Sequence, residues 1–199
     1  MNLNLQQFAS SVQKEDITLG VGWLYIAEYS GSIPENSVIE TEDNQIGHLS
    51  GGVSLEYTCE RTDLEDDLGA VVDSRITKES AIMKAGALSW GQETLAKLSE
   101  TSTVVEDITN NIITVWIGGK ANANGKEYLV HFVHQLKDGR KIRLTIKAVP
   151  NSGFTLGFNK EDGTVIDMEF KALAMDKGVT DGKEGRLIRY QKETALPTT

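Results

Sequence analysis

Residues Val53-Ser54-Leu55-Glu56-Tyr57-Thr58-Cys59-Glu60 alternate between apolar and polar side chains without a break. Successive side chains of a strand point to opposite faces. Val53, Leu55, Tyr57 and Cys59 therefore share one face, and Ser54, Glu56, Thr58 and Glu60 share the other. This is the pattern of a strand with one face on a core and one in water. The same period recurs where Ile142, Leu144, Ile146 and Ala148 alternate with Arg143, Thr145 and Lys147. It recurs again where Ile166, Met168, Phe170 and Ala172 alternate with Asp167, Glu169 and Lys171. Gly22 to Tyr29, Ala70 to Ile82, Ile112 to Ile117 and Tyr128 to His134 read as strands with less regular alternation. A chain patterned in this way is mainly β.

Turn chemistry separates the strands. Asp138-Gly139 sits where a tight hairpin needs a residue of positive φ, and Asp162-Gly163 marks a second turn. Gly118 to Gly125 reads as a longer hairpin loop, and Ser30 to Asp43 and Thr62 to Gly69 as long polar connections. One helix is expected over about 90–99. Ser89-Trp90-Gly91-Gln92 has capping-box spacing, and Leu95 and Leu98 follow on one face. Such a short helix would close one end or face of a sandwich. The domain is expected over 21–174, flanked by an N-terminal arm (1–20) and a C-terminal arm (175–199) punctuated by Gly178, Gly182, Gly185 and Pro197.

The chain of 199 residues is ample for one hydrophobic core. No apolar run approaches the roughly 20 residues of a membrane helix. The first residues lack the apolar core of a secretion signal, and the single cysteine excludes an intrachain disulfide. These features fit synthesis in a reducing cytoplasm. Acids outnumber bases 29 to 20, for a formal charge of −9. That balance opposes a grip on nucleic acid, which draws its affinity from neutralised phosphates. It does not oppose DNA passing nearby.

No catalytic or metal constellation emerges. His131 and His134 are three apart on a strand, which turns them to opposite faces, one packed and one solvated. Asp63 to Gly69 has the acidity of a calcium loop, but position six is Leu68 and position twelve is Ser74, where the pattern needs Gly and Glu. Gly51-Gly52 and Gly118-Gly119-Lys120 lack the rest of a phosphate loop and read as turns or bulges. Cys59 falls on an apolar strand face, which predicts a buried, inert thiol. Glu56, Glu60, Asp73, Glu79, Asp167 and Glu169 are spread over strands and define no pair. The expectation is a protein without cofactor, metal or catalytic residue, and not an enzyme.

Several stretches carry a resemblance. Ile17-Thr18-Leu19-Gly20-Val21-Gly22-Trp23-Leu24-Tyr25-Ile26-Ala27 is similar to an opening strand. Asn44-Gln45-Ile46-Gly47-His48-Leu49-Ser50-Gly51-Gly52-Val53-Ser54-Leu55-Glu56-Tyr57-Thr58 is similar to the lead-in of a first long strand. An acidic loop, a second long strand (Val71 to Ile82), a short helix (Gln92 to Leu98) and a late strand (Val165 to Ala174) follow. In this order the elements resemble the major tail tube proteins of long-tailed (siphovirus-type) bacteriophages. Contractile-tail, bacteriocin and type VI secretion tubes are related to that family.

The resemblance implies a β-sandwich or half-barrel with one flanking helix, six copies of which form a ring-wide β-barrel. It implies stacked hexameric rings in the virion tail, assembled in the host bacterial cytoplasm. The partners it implies are further copies of the chain, a tape-measure protein, tail tip or initiator and tail terminator proteins. Double-stranded DNA would pass through the lumen without specific binding, and no membrane is involved. A negative wall would repel phosphate and let DNA slide. Under this resemblance Ser54, Glu56, Thr58, Glu60, Asp73, Arg75, Thr77 and Glu79 are the candidate lumen-facing residues. Asp63, Glu65, Asp66 and Asp67, on the loop 62–69, are candidates for ring stacking. The alternative is a β-sandwich binding module such as a surface adhesin or carbohydrate-binding domain, which would require Trp23, Trp90 and Trp116 to converge.

Overall fold

A computed structural model describes residues 22–156, 165–175 and 185–195. The arm at 1–20 and the Asp162-Gly163 turn lie outside the described residues. The strands are β1 (Gly22–Glu28), β2 (Gln45–Ile46), β3 (Leu49–Glu65), β4 (Val71–Ala87), β5 (Thr103–Asp107), β6 (Ile112–Trp116), β7 (Tyr128–Gln135), β8 (Lys141–Pro150), β9 (Ile166–Leu173) and β10 (Arg189–Lys192). Among the described residues there are also two short helices, α1 (Asn36–Ile39) and α2 (Gln92–Lys97), and single 3-10 turns at Glu42–Asn44 and Lys120–Asn122.

Eight strands form one antiparallel sheet in the order β2-β1-β7-β8-β9-β4-β3, with β10 also on β8. One edge of β8 is shared. Its residues 142–145 pair with β10, and its residues 147–150 pair with β9. The remaining two strands, β5 and β6, form a separate ribbon.

The chain connectivity forces this sheet to roll. β2 and β3 lie at opposite ends of the strand order, yet only Gly47 and His48 separate them in sequence. A link that short spans roughly 11 Å at most, from about 3.6 Å per residue. The two ends of the sheet must therefore approach each other, and β1 does come close to β3. His48 pins the junction. Its carbonyl accepts from Leu88 N at 2.7 Å, and its N–H donates to Ser89 Oγ at 2.6 Å. Among the described residues no ladder joins β2 to β3, so the barrel stays open. The expected sandwich is thus one rolled antiparallel sheet, its inner face serving as both core walls.

The alternation read from the sequence supplies that inner face. Leu24, Ile26, Met83, Val130, Ile146, Met168 and Phe170 are all buried there. Trp90, Leu95 and Leu98 bring α2 against this core. A fully buried side chain of this size contributes about 1.5–3 kcal/mol by removal from water.

Several local expectations are corrected. Ser89 does not cap α2: Gly91 is the N-cap, without a side-chain hydrogen bond, because the Ser89 hydroxyl is held by His48. The Gly118 to Gly125 segment does not connect paired strands. β6 pairs with β5, so this segment carries the chain from ribbon to main sheet. The connection Ser30 to Asp43 contains α1, whose Ile39 is fully buried. Within the C-terminal arm, Arg189–Lys192 is ordered as β10 because the first half of β8 offers it an unpaired edge. The Asp138-Gly139 hairpin joins β7 to β8 as expected, with Gly139 at φ 91°.

Candidate assembly surfaces

β3 and β4 are each 17 residues long, far longer than the other strands. Only their near halves touch the core, through Val53, Leu55, Ala81, Met83, Ala85 and Ala87. Past Tyr57 and Ala81 nearly every residue is half-buried or exposed on both faces. About ten residues per strand, at roughly 3.3 Å each, give an arm on the order of 30 Å that leaves the body. Leu64 is 63% exposed, Leu68 93%, Val71 56% and Val72 60%. In water such a ribbon gains little from its own apolar side chains, and an isolated two-stranded hairpin is marginal.

Its tip is tighter than the loop expected over 62–69. Thr62 to Glu65 continue the ladder, placing Asp63 and Glu65 in the strand. Asp66 and Asp67 begin the turn itself. Asp66 Oδ1 accepts from Leu68 N at 2.9 Å and from Ala70 N at 2.8 Å, and Gly69 takes φ 80°. Tyr57, beside Glu79 on the arm, donates its hydroxyl to that carboxylate.

The ladder also redistributes the candidate lumen residues. Ser54, Glu56, Thr58 and Glu60 pair with Lys84, Ile82, Ser80 and Lys78, so all eight share the outer face. Between Glu60 and Arg61 the register shifts, leaving Thr77 as the extra residue of a bulge. Beyond it Thr62 pairs with Arg75 and Leu64 with Asp73. Asp73 and Arg75 therefore join the outer face. Glu79, paired with Cys59, lies on the opposite face, continuous with the core side. Strict alternation along β4 had put Asp73, Arg75, Thr77 and Glu79 together, and the bulge breaks that set. Cys59 is a further correction. It lies on the apolar face, but out on the arm, and it is exposed.

The outer face continues from the arm across β4 and β9. Lys84 lies opposite Glu169, and Ile82 opposite Lys171. Ion pairs lace it: Lys78–Glu60 at 2.5 Å, Lys84–Glu169 at 3.6 Å and Arg75–Asp73 at 2.8 Å. Surface pairs of this kind contribute about 0–1 kcal/mol each. Their consequence is a polar face with signs interspersed.

Over β7 and β8 the same outer face is covered. The segment carrying α1 lies on it, so Leu129 and Val133 are buried with Ile39 and Tyr25. His131 is fully buried there and His134 is buried on the inner face, so both histidines are packed, not one. Arg143 is the centre of an ionic cluster. It donates to Glu40 and, at 2.7 Å, to Glu193. His131 Nδ1 is 2.8 Å from Thr145 Oγ1, with Nε2 3.4 Å from Glu40. Arg189 donates to Asn36 Oδ1 at 2.8 Å. Burial alone would raise the Glu40 carboxyl, but the hydrogen bond and charge of Arg143, with His131 and Lys141, outweigh it and hold the carboxyl low. Burial lowers His131 from 6.5 to about 4 despite Glu40. The cluster ties the α1 segment and β10 to the sheet. It was not found from the sequence. The available signal was β7, whose run of Tyr128, Leu129, Val130, Phe132 and Val133 lacks the alternation of a strand wet on one face.

The tryptophans do not gather. Trp90 packs on the inner core, whereas Trp23 lies 41% exposed on the outer face of β1 and Trp116 lies on the small ribbon. That ribbon exposes Val104, Val105, Ile112 and Ile113 as well. No protein-family model matches the chain, and no similar protein was found among curated sequences.

Proposed function

We propose that this chain is the structural subunit of a tail tube of the long-tailed bacteriophage type. Six copies form a ring, and rings stack into the conduit that carries the genome into the host. In this reading the rolled sheet is the half-barrel of each subunit, and the long hairpins of six copies contribute to a ring-wide barrel. The observation that carries the proposal is the β3–β4 arm, which exposes apolar side chains on both faces and whose outer β3 edge pairs with no other strand among the described residues. A free ladder of that length is a liability in a monomer and a pairing surface in a closed ring. The polar outer face across β3, β4 and β9, with its interspersed charge, suits a water-filled lumen. DNA would meet there no basic stripe to hold it. The partners are further copies of the chain, a tape-measure protein, and initiator and terminator proteins at the two ends.

Negative-stain microscopy of concentrated protein, alone and with a tape-measure and initiator protein, tests this. Rings or hollow tubes are expected. A uniform monomer under both conditions would overturn the proposal.

A further inference from the structure

Charge is divided unevenly at one end of the molecule. Over residues 62–74, at the arm tip, the chain carries five acids and no base. Over residues 136–143 and 185–195, the β7–β8 turn with β10, it carries seven bases and two acids. This basic rim stands out in a chain of net charge −9. Lys137 and Lys192 are exposed on it, and Arg140 and Lys141 half-buried. Glu193 is already engaged by Arg143, and Asp138 by Arg140 at 2.6 Å, so the rim acids are occupied internally.

Register places tip and rim at the same end. β4 runs from the tip toward Ala87, β9 lies antiparallel to it, and β8 antiparallel to β9. The start of β8 therefore points the way the tip points. Residues 61–72 are nonetheless exposed throughout, so the tip does not rest on its own rim. We propose that the acidic tip of one copy seats on the basic rim of a second copy standing beside it with the same polarity. Such a contact is heterologous, tip to rim, and side-by-side repetition of it closes into a ring when the rotation allows. Opposite charge at both surfaces would steer the encounter and set the register between copies. This rests on the self-assembly proposed above. It turns the acidic tip into a contact within the ring, in place of the ring-to-ring contact that the resemblance implies.

Zero-length carbodiimide cross-linking of an equal mixture of isotope-labelled and unlabelled full chain tests it, because mixed-isotope peptides identify links between copies. Links from Glu65 or Asp67 to Lys137 or Lys192 are expected. Their yield should fall by roughly tenfold between low salt and 0.5 M salt, where the screening length is a few ångströms. Charge reversal at Lys137→Glu with Lys192→Glu should abolish assembly into rings, and adding Glu65→Lys with Asp67→Lys should restore it. Links instead to Lys97, Lys120 or Lys126, or no links between copies, would overturn the proposal. Tubes seen by microscopy without tip-to-rim links would sink this contact alone. Such links in a protein that never forms rings would uphold the contact and count against the tube.

Discussion

One sheet is treated in two opposite ways along its length. Over β7 and β8 it is covered on both faces, by the apolar core inside and by the α1 segment and its ionic cluster outside. Over the far halves of β3 and β4 it is covered on neither face by the described residues. Both regions form strands, but β7 carries no Asp, Glu, Lys or Arg, whereas the arm interleaves its apolar residues with Glu60, Arg61, Asp63, Asp73, Arg75 and Glu79. That difference goes with whether tertiary partners cover each face. The body holds its side chains in place by burial. The arm is held by a ladder and by exposed ion pairs, which leaves its apolar side chains Leu64, Leu68, Val71 and Ile76 exposed. If the chain assembles as proposed, its stability sits in one region and its means of association in the other.

The largest effect expected is in the body. Phe170 is 1% exposed, in the inner core. Phe170→Ala should cost about 3–5 kcal/mol, as large-to-small core substitutions do, and lower the urea midpoint accordingly. An unchanged midpoint would mean that the rolled sheet does not close over its core.

A second expectation concerns acid. In the folded chain His131 titrates at about 4 rather than 6.5 because burial opposes its charge. The unfolded chain therefore takes up this proton at a higher pH than the folded chain does. The stability tied to a neutral His131 is complete above pH 6.5 and is lost as the pH falls toward 4. The difference corresponds to about 3 kcal/mol at roughly 1.4 kcal/mol per pH unit. Glu40 and Glu193 act in the same direction further down, since their carboxyls are held low by Arg143 after burial is overcome. Urea titrations between pH 7.5 and 4 should show this loss, and His131→Gln should flatten its upper part. Stability that is level across that range would place His131 outside the buried cluster.

The inner core was legible because its strands keep period 2. Ile142 to Ala148 and Ile166 to Ala172 fall on the inner face as their alternation requires. Other features depend on partners that no local pattern specifies. Ser89 matched a capping box, but the N–H of His48 competed for its hydroxyl and prevailed. Thr103–Asp107 places Val104 and Val105 side by side, which hides the alternation of a strand. β10 exists because β9 leaves half of the β8 edge free. The bulge at Thr77 arises from pairing of two strands, and it moves Glu79 to the other face without any mark in the β4 sequence. Cys59 follows its alternation correctly and is exposed all the same. Alternation fixes which face a side chain takes, but not whether that face is covered at that distance along the strand.

The smallest effect on stability is expected in the arm, together with the clearest effect on association. Leu68 is 93% exposed in the turn and makes no part of either buried cluster. Leu68→Ser should change the unfolding free energy by less than about 0.5 kcal/mol, as surface substitutions usually do. Deleting Glu65 to Leu68 should likewise leave the circular dichroism of the body unchanged, because the ladder from Leu49 to Cys59 stays anchored by Val53, Leu55 and Met83. If the tip is a contact between copies, the deletion should abolish rings and tubes under conditions in which the intact chain forms them. A deletion that unfolds the body would show that the arm supports the core, and one that assembles normally would show that the tip is a passive turn. Either outcome would erase the contrast between a region that stabilises and a region that associates.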